Sequence, residues 1–422
     1  MEAGKSQKGK YKLLSVIGAR PQIIKSAAIS RAIRNKFADC FEEVILHTGQ
    51  HYDQNMSDIF FKEMEIPLPH FNLGVGSGSH GVQTAKMIQG IEEVIAETKP
   101  DAVIVYGDTN STLAGSIAAS KLKVPVVHIE AGLRSFNKTM PEEINRIVSD
   151  HTSTMLFTPT HTGVRNLERE GFVCSDGSDN IEMECQEYSM DNPGVFHTGD
   201  VMFDNTLFFA SVADKKNPLD GLKFEPFNKG AAAKANLPLK PGEYILATVH
   251  RDSNTEDDFR MKSIFHALYS ISEKHKRVVV MPLHPRTAKV LEERLGKELY
   301  DRVINSPYMK IIPAVSFFEM ITLEKNSEMI ITDSGGVQKE AYFFSKPCLI
   351  LRPQTEWVEI VDNGAAMLVD DDFADIVNGY EKMRTKRIEF PPIFGEGDAA
   401  ENILEILRNS MEHKLIMTSI LG

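Results

Sequence analysis

Residues 329–340 read Met-Ile-Ile-Thr-Asp-Ser-Gly-Gly-Val-Gln-Lys-Glu, an apolar run that turns through two glycines into a helical pattern. Such a strand-to-helix turn directs unpaired backbone N–H groups outward, and the helix dipole favours an anion in front of them. Gly335 and Gly336 lack the Cβ that would keep a phosphate oxygen from the backbone. Glu340 follows one turn later on the same face, where its carboxylate can accept hydrogen bonds from a ribose diol. The segment predicts a nucleotide site that includes Ser334; the alternative is an ordinary Asp N-cap with a glycine turn.

Short apolar runs rich in β-branched residues recur on both sides of this segment. They alternate with helix-length patterns such as Ile23–Arg34 and Val82–Thr98, which is typical of parallel strands buried on both faces. The predicted fold class is α/β, with two Rossmann-like, doubly wound parallel-sheet domains that face a central cleft. The predicted strands are Leu13–Ile17, Val44–His47, Ala102–Tyr106, Val124–Ile129, Tyr244–Val249, Arg277–Leu283, Met329–Thr332 and Pro347–Leu351.

The predicted domain boundaries follow from changes in composition along the chain. Residues 1–11 form a disordered tail, 12–205 the N-terminal domain, 206–395 the C-terminal domain, and 396–422 a final amphipathic helix. The hinge falls within the Pro-containing stretch near residues 205–240. The polar and acidic residues 174–193 show no periodicity, so we interpret them as a solvated surface insertion.

Charge and cysteine usage exclude several classes of function. The 422 residues carry 47 Lys and Arg against 59 Asp and Glu, a net charge of −12, with no basic stripe. Nucleic acid and anionic membrane surfaces are therefore not expected partners. The four cysteines show no metal-type spacing, and no apolar run approaches about 18 residues, so a soluble protein of the reducing cytoplasm without a metal site is expected.

In doubly wound sheets ligands bind beyond the carboxyl ends of the strands, so the residues after each apolar run are candidates. Arg20 and Lys25 follow the first run, and two such cations could face an anion. Asp108 follows the run ending at Tyr106, and Glu130 follows the run Val124–Ile129. A carboxylate at the tip of a buried strand requires a partner or a function. The alternatives are solvated cations at a helix start and, for Asp108, an N-cap.

Further candidates lie at a helix start and at two strand ends. Glu142 and Arg146 are one turn apart after Pro141, where a surface-exposed helix start favoured by the dipole is the alternative. His250 and Arg251 follow one strand of the second half, and His284 follows the next. Each histidine is either a satisfied polar group at a strand end or an acid facing the ligand.

The order of these motifs resembles one known family. The motifs are Gly-Ala-Arg-Pro-Gln-x-x-Lys, Gly-Asp-Thr-x-Ser-Thr, His-Ile-Glu-Ala-Gly-Leu-Arg, Met-Pro-Glu-Glu-x-Asn-Arg, Thr-Val-His-Arg, Pro-Leu-His-Pro and Asp-Ser-Gly-Gly-Val-Gln-Lys-Glu. Across residues 12–410 the chain resembles the non-hydrolysing UDP-N-acetylglucosamine 2-epimerases. The resemblance implies the GT-B fold, UDP bound mainly by the second domain, and a final helix that packs on the first. The residues that it places in the active site are Arg20, Lys25, Asp108, Glu130, Glu142, Arg146, His250, Arg251, Ser334, Gly335, Gly336 and Glu340.

The resemblance also implies a reaction, in which C2 of a UDP-linked 2-acetamido sugar is inverted by elimination and re-addition of UDP. That chemistry needs carboxylates near the sugar, expected to be Asp108, Glu130 and Glu142, and cations or N–H donors near the diphosphate. His250 is expected at the site with them. No metal or redox cofactor is required. We also expect the protein to be a cytoplasmic homodimer whose product is a precursor of surface polysaccharide.

Two departures from the family pattern bear on substrate and regulation. Gln22 stands where most members have Glu, which together with the insertion favours members acting on other UDP-linked sugars, including diacetamido uronates. Gln50-His51-Tyr52-Asp53 lacks the Arg of substrate-activated members, so that regulation is not expected. The alternative functions are a UDP-sugar-dependent GT-B glycosyltransferase, a hydrolysing 2-epimerase, and a catalytically silent nucleotide-sugar sensor.

Overall fold

The computed structural model describes residues 9–50, 66–173, 188–216, 219, 239–283, 285–413 and 415. They divide into two units, the first running to Asn205 and resuming at Pro392, and the second spanning Thr206–Pro391. Several predicted features lie outside the described residues, namely residues 1–8 of the tail, His51 to Asp53, residues 174–187 of the insertion, most of the hinge, and His284. Each unit contains one parallel sheet with helices along its connections, which confirms the predicted α/β class.

The first unit contains a seven-stranded sheet in the order β3-β2-β1-β4-β5-β6-β7. Its order reverses between β1 and β4, so the loops after these two strands diverge at the edge where ligands of such sheets bind. Leu14 of β1 lies between Val44 of β2 and Val103 of β4, and all three are buried. The strands are β1 Tyr11–Ile17, β2 Phe41–His47, β3 Phe71–Asn72, β4 Ala102–Tyr106, β5 Val126–Ile129, β6 Met155–Thr158 and β7 Gly194–His197.

Among the described residues of the first unit, every strand except β2 is followed by a helix, as connections between parallel strands usually are. They are α1 Arg20–Lys36, α2 His80–Thr98, α3 Asn110–Lys121, α4 Pro141–His151, α5 His161–Arg169, the start of α6 Val201–Lys216, and α15 Ala399–Glu412.

The second unit contains a six-stranded parallel sheet in the order β10-β9-β8-β11-β12-β13. Here the order reverses between β8 and β11, which pair through Leu246 and Ile330. The strands are β8 Tyr244–Thr248, β9 Val278–Leu283, β10 Met309–Pro313, β11 Met329–Thr332, β12 Cys348–Ile350 and β13 Ala366–Leu368. The helices are α7 Asp252–Thr255, α8 Asp258–His275, α9 Pro285–Leu295, α10 Lys297–Asn305, α11 Phe317–Asn326, α12 Gly335–Phe343, α13 Val358–Asp362 and α14 Phe373–Thr385.

All eight predicted strands are present, with ends shifted by at most three residues. The sequence did not predict β3, β6, β7, β10 and β13. Most of these are two to four residues long, too short for a periodicity to show. In the described part of the predicted solvated insertion, residues 188–193, Met190 and Asp191 are exposed but Tyr188 is an exception. Tyr188 is buried, packs edge-on against Phe196, and donates its N–H to the Leu415 carbonyl at 2.6 Å.

Two kinds of feature are absent from the described residues. Within those ranges no helix is both long and apolar enough to cross a membrane. The same part of the chain contains no cluster of three or more His, Cys, Asp or Glu side chains arranged to hold a metal ion.

The helix α15 is joined to the first unit through a buried carboxylate. It packs against α1, and Asp204 accepts hydrogen bonds from the N–H groups of Ala399 (3.1 Å) and Ala400 (2.8 Å). Asp204 therefore satisfies two N–H groups of the first turn, although it is distant in sequence. The helix's own N-cap residue, Asp398, makes no such side-chain bond.

We expect Asp204→Ala to loosen α15 because the two N–H groups lose their acceptor. Loss of a capping interaction costs about 1 kcal/mol, so amide exchange of the α15 peptide should accelerate roughly fivefold. Hydrogen exchange with mass spectrometry measures this, and Asp398→Ala is the matched control. Equal acceleration in both variants would contradict the role of Asp204.

The contribution of Asp204 should also depend on pH. Burial raises the pKa of Asp204 to about 6 from the usual 3.8. Because a raised pKa means that the folded state favours the protonated acid, wild-type stability falls as the pH rises through this value. Relative to Asp204→Asn, the wild-type helix should therefore become less protected between about pH 4 and pH 7.

Candidate functional site

In the first unit, the loop after β4 presents Asp108 beside Arg146. Thr109 caps α3, accepting from the N–H groups of Ser111 (3.1 Å) and Thr112 (3.4 Å), so the alternative interpretation of Asp108 as the N-cap is wrong. The Asp108 carboxylate instead forms a salt bridge with Arg146 of α4. The amide of Asn145 fixes the loop by donating to the Asp108 carbonyl at 2.9 Å. Asp108 is therefore held as a partly exposed carboxylate.

Arg146 is itself held by a second carboxylate. Its guanidinium donates to Glu143 at 2.9 Å, and both side chains are buried. Glu143 also accepts from the N–H groups of Ser135 (2.9 Å) and Phe136 (2.8 Å). Arg146 is thus a fixed cation between two carboxylates, only one of which, Asp108, has a partly exposed side chain.

Glu130 follows β5 in a left-handed backbone conformation, with φ of 71°. This conformation is uncommon for residues other than glycine, and such strain is concentrated at functional sites. Here it is fixed by two hydrogen bonds, in which the N–H groups of Glu130 and Ala131 both donate to the Phe157 carbonyl. The Glu130 carboxylate accepts from the Lys25 ammonium at 2.5 Å.

Gly107 explains how these groups come together. A Cβ on Gly107 would lie 3.0 Å from Lys25 Nζ and 3.2 Å from Glu130 Oε1, and the φ of this residue is +62°. Glycine is therefore required for the ion pair to lie against the β4 loop. The strand ends of β1, β4 and β5 thus gather Lys25, Glu130 and Asp108 at one edge of the sheet.

A buried network supports this edge from within. His128 contacts the Gly107 carbonyl through Nε2 and Asp150 through Nδ1, both at 2.7 Å, so both ring nitrogens face acceptors. Arg134 donates to the other Asp150 oxygen at 2.7 Å. Burial alone would raise the pKa of Asp150, but the hydrogen bonds and charges of His128 and Arg134 bring it below its usual value.

In the second unit, Asp333 organises the loop after β8. Its fully buried carboxylate accepts from the N–H groups of His250 (3.0 Å) and Arg251 (3.0 Å) and from the Asn254 amide (3.0 Å). The His250 ring lies 3.4 Å from the same carboxylate, and its side chain is 51% exposed. Asp333 therefore fixes the backbone of the loop while the His250 side chain remains accessible.

The turn after Asp333 leads into α12. Ser334 is the N-cap and accepts from the Val337 N–H at 3.4 Å, so Asp333 does not have the capping role of the alternative interpretation. Gly335 and Gly336 form the first helical positions, whose N–H groups have no partner within a helix. The backbone therefore has the donors that an anion requires.

Three side chains that the sequence analysis missed surround Gly335. The position of a Cβ on this glycine lies 3.7 Å from Glu356 Oε2, 3.8 Å from Arg352 Nη1 and 3.9 Å from Trp357 Nε1. Arg352 forms a bidentate pair with Glu356, with both bonds at 2.9 Å. Burial alone would raise the pKa of Glu356, but Arg352 and, more weakly, Arg251 hold it below its usual value. Lys339 lies over the Trp357 ring, 4.1 Å from its centroid.

A model of the family described as UDP-N-acetylglucosamine 2-epimerase matches residues 34–408. The chain belongs to the UDP-N-acetylglucosamine 2-epimerase family. It is an epimerase, an isomerase of the class that acts on nucleotide sugars.

Two relatives of this epimerase are 44% identical to it. One is a UDP-N-acetylglucosamine 2-epimerase homologue of Methanococcus maripaludis, aligned over 94% of the chain and 99% of the relative. The other is the UDP-2,3-diacetamido-2,3-dideoxy-D-glucuronate 2-epimerase of Pseudomonas aeruginosa, with the same coverage. A crystal structure of the Methanocaldococcus jannaschii UDP-GlcNAc 2-epimerase in complex with UDP-GlcNAc and UDP is 39% identical. It has a TM-score of 0.74 and covers 94% of this chain and 99% of that one. The predicted GT-B fold class is thereby confirmed.

The structure of the epimerase brings together some of the predicted site residues and leaves others apart. Lys25 contacts Glu130, Arg146 contacts Asp108, and His250 and Arg251 share Asp333. Arg20 is the first residue of α1 and is exposed, and Glu142 is exposed on the first turn of α4. Glu340 is half-buried on α12 and lies against Glu324 of α11. The functional roles of all these residues stay predictions.

Gln22 has a role within the chain of this epimerase that its sequence alone did not reveal. It is buried, accepts from the N–H groups of Gly18 (2.9 Å) and Ala19 (3.1 Å), and donates to the Tyr106 carbonyl at 3.0 Å. It therefore ties the loop after β1 to the end of β4. These contacts occupy its amide, and the sugar preference that Gln22 suggests stays a prediction.

We expect Asp333→Asn to release the loop after β8. Three N–H donors face the Asp333 carboxylate. The Asn side chain has only one oxygen to accept from them, and its NH2 group would point its own hydrogens at these donors. The loop after β8 should lose about 3 kcal/mol of stabilisation, which is the upper end of the range for hydrogen bonds to a charged group. Exchange of the peptide covering residues 249–256 should accelerate while that of β9 changes less.

Asp257→Asn is the matched control for this loop. Asp257 is an exposed N-cap that accepts from the N–H groups of Phe259 (2.8 Å) and Arg260 (3.1 Å). Its replacement should affect α8 alone. Unchanged exchange of residues 249–256 in Asp333→Asn would show that the loop does not depend on this carboxylate.

Proposed function

We propose that the protein inverts C2 of a UDP-linked 2-acetamido sugar by elimination and re-addition of UDP. The observation that carries the proposal is the pair of cation-held carboxylates, Asp108 with Arg146 and Glu130 with Lys25, at neighbouring strand ends. The names of the relatives support the substrate class, since they act on UDP-GlcNAc and on a UDP-diacetamido uronate. Both sugars carry a 2-acetamido group and a UDP leaving group at C1.

The chemistry follows from the position of the bond to be broken. C2–H has no adjacent carbonyl, so direct removal of the proton is not feasible. When the C1–O bond breaks, its electrons leave with UDP and C1 gains oxocarbenium character. The C2–H bond then becomes acidic, a base takes the proton, and its electrons form a C1=C2 double bond. Re-addition of UDP at C1 with delivery of a proton to the opposite face of C2 gives the epimer.

The carboxylates of the first unit suit the proton transfers. Lys25 lies against Glu130 and Arg146 lies against Asp108, so each carboxylate has a cation beside it, and a carboxylate can serve as a general base. Glu142, exposed on α4, is proposed as the third carboxylate near the sugar. An ionised carboxylate near C1 also stabilises the developing positive charge.

The second unit is proposed to bind UDP. The N–H groups at the start of α12, together with Ser334, Gly335 and Gly336, suit the diphosphate, and Glu340 suits the ribose hydroxyls. His250 and Arg251 are proposed to stabilise the departing diphosphate, with His250 as a proton donor. Arg20 and His284 are proposed as further substrate ligands.

The cellular setting forms part of the same proposal. Cys40 and Cys348 are free thiols in the described part of the chain, which suits a reducing cytoplasm. We propose a homodimer there, whose activated product serves as a precursor for surface polysaccharide. The product is a UDP-linked sugar that differs from the substrate only in its configuration at C2. A glycosyltransferase can transfer such an activated sugar.

In deuterated water, we expect the product to carry deuterium at C2. The proton leaves on one face and returns on the other, so it exchanges with solvent between the two steps. Incubation with UDP-GlcNAc and with a UDP-2,3-diacetamido uronate, followed by NMR, measures both the C2 configuration and the label. Product that keeps its original C2 hydrogen would contradict the mechanism. Turnover only with an added acceptor would identify a glycosyltransferase, and release of free sugar a hydrolysing enzyme.

We expect Asp108→Asn and Glu130→Gln each to lower kcat by at least about 10²-fold, the usual contribution of a general acid or base. Each replacement keeps the shape of the side chain and removes its charge. Glu97→Gln, on the exposed face of α2, is the matched control and should leave kcat unchanged. Circular dichroism checks that all three variants fold. Near-normal turnover in both site variants would exclude these carboxylates from the chemistry.

A further inference from the structure

Glu324 is a buried acid that the proposed mechanism does not use. It lies on α11 and is 1% exposed. Neither of its carboxylate oxygens receives a hydrogen bond from an N–H or O–H donor among the described residues. An ionised carboxylate in such a place would be costly, since nothing replaces the water that it loses.

The group that faces Glu324 is Glu340 of α12, whose side chain is within hydrogen-bonding reach. The other titratable group near Glu324 is Tyr244 of β8, but its hydroxyl donates to the Leu323 carbonyl at 2.5 Å. On α11 itself, Lys325 is paired with Asp214 at 2.6 Å. No cation in the described part of the chain therefore forms an ion pair with Glu324.

Two carboxylates can form a hydrogen bond only if one of them carries a proton. The proton belongs on Glu324, because Glu324 is almost fully buried and Glu340 is half-buried. Burial first, and the charge of Glu340 second, raise the pKa of Glu324 well above its usual value. Glu324 is then a neutral acid that donates to an ionised Glu340.

We propose that Glu324 is a positioning residue that orients Glu340 for nucleotide binding. As a carboxylic acid it donates to the Glu340 carboxylate and fixes the orientation in which that carboxylate accepts from the ribose hydroxyls of UDP. This inference rests on the proposed role of Glu340 in binding UDP. It adds that the affinity for UDP depends on the proton that Glu324 carries.

The test compares UDP binding by the wild-type protein, Glu324→Gln, Glu324→Leu and Glu340→Ala, using calorimetric titration. The Gln side chain keeps a donor toward Glu340 and cannot ionise, whereas Leu removes the donor. Near pH 7, we expect Glu324→Gln to bind UDP like the wild type, and Glu324→Leu to bind roughly tenfold more weakly. Glu389→Gln, an exposed residue of the same unit, is the matched control.

The pH dependence separates positioning from a merely structural role. As the pH rises above neutrality, the fraction of ionised Glu324 increases, and two like charges then oppose each other. Wild-type affinity should therefore fall relative to Glu324→Gln. Ionisation of UDP and of every other group is common to both proteins and cancels in the ratio.

Each outcome decides between specific statements. Unchanged affinity in Glu340→Ala would overturn the proposed nucleotide role of Glu340, and this inference with it. A weakened Glu340→Ala, with both Glu324 variants like the wild type at every pH, would overturn this inference alone. Glu324→Gln as weak as Glu324→Leu near pH 7 would show that Glu324 acts as an anion and would also overturn it. If Glu324→Leu does not fold, the affinity ratio of wild type to Glu324→Gln across pH decides.

Discussion

The cost of burying a charge without a partner is the constraint on which the rest of this structure depends. Parallel strands covered on both faces leave no place for polar groups except at their ends. There the chain places charged side chains, and it pairs them. Glu130 has Lys25, Asp108 has Arg146, and Glu356 has Arg352. The Asp333 carboxylate is stabilised in another way, by hydrogen bonds from two backbone N–H groups and a side-chain amide.

These pairings do more than neutralise charge, because they also fix geometry. Arg146 cannot move without breaking its bond to the buried Glu143, so the Asp108 carboxylate is held from below. The left-handed backbone of Glu130 is held by the Phe157 carbonyl, and Gly107 leaves room for the ion pair beside it. For the proposed reaction, side chains fixed in this way would be organised before the ligand binds, which reduces the reorganisation that the reaction needs. The Glu324 and Glu340 pair follows the same constraint with a proton in place of a cation.

Much of the fold and part of the site could be predicted from the sequence. The continuous apolar runs at β1, β4, β8 and β11 predicted these strands, because a strand buried on both faces is apolar throughout. The rule that ligands bind beyond strand ends directed attention to Asp108, Glu130, His250 and Ser334, whose functional roles stay predictions. The same rule, applied after the run ending at Leu351, would have found Arg352. The role of Asp333 could not be predicted from the sequence, because an Asp before Ser-Gly-Gly is explained by local helix capping. Its actual hydrogen-bond partners are about 80 residues away in the chain.

The sequence by itself determined the α/β class, the two-sheet organisation and the chemical types of residue at the strand ends. These properties are local, since periodicity, glycine turns and side-chain chemistry can be read from neighbouring residues. Only the tertiary structure decided which charges are paired, that Thr109 rather than Asp108 caps its helix, and that Gln22 joins the loop after β1 to the end of β4. It also decided that Glu324, which the sequence presents as an ordinary helix residue, lies buried against Glu340. The physical reason is that ion pairing and burial depend on distances between residues far apart in the chain, and those distances exist only after the sheets have formed.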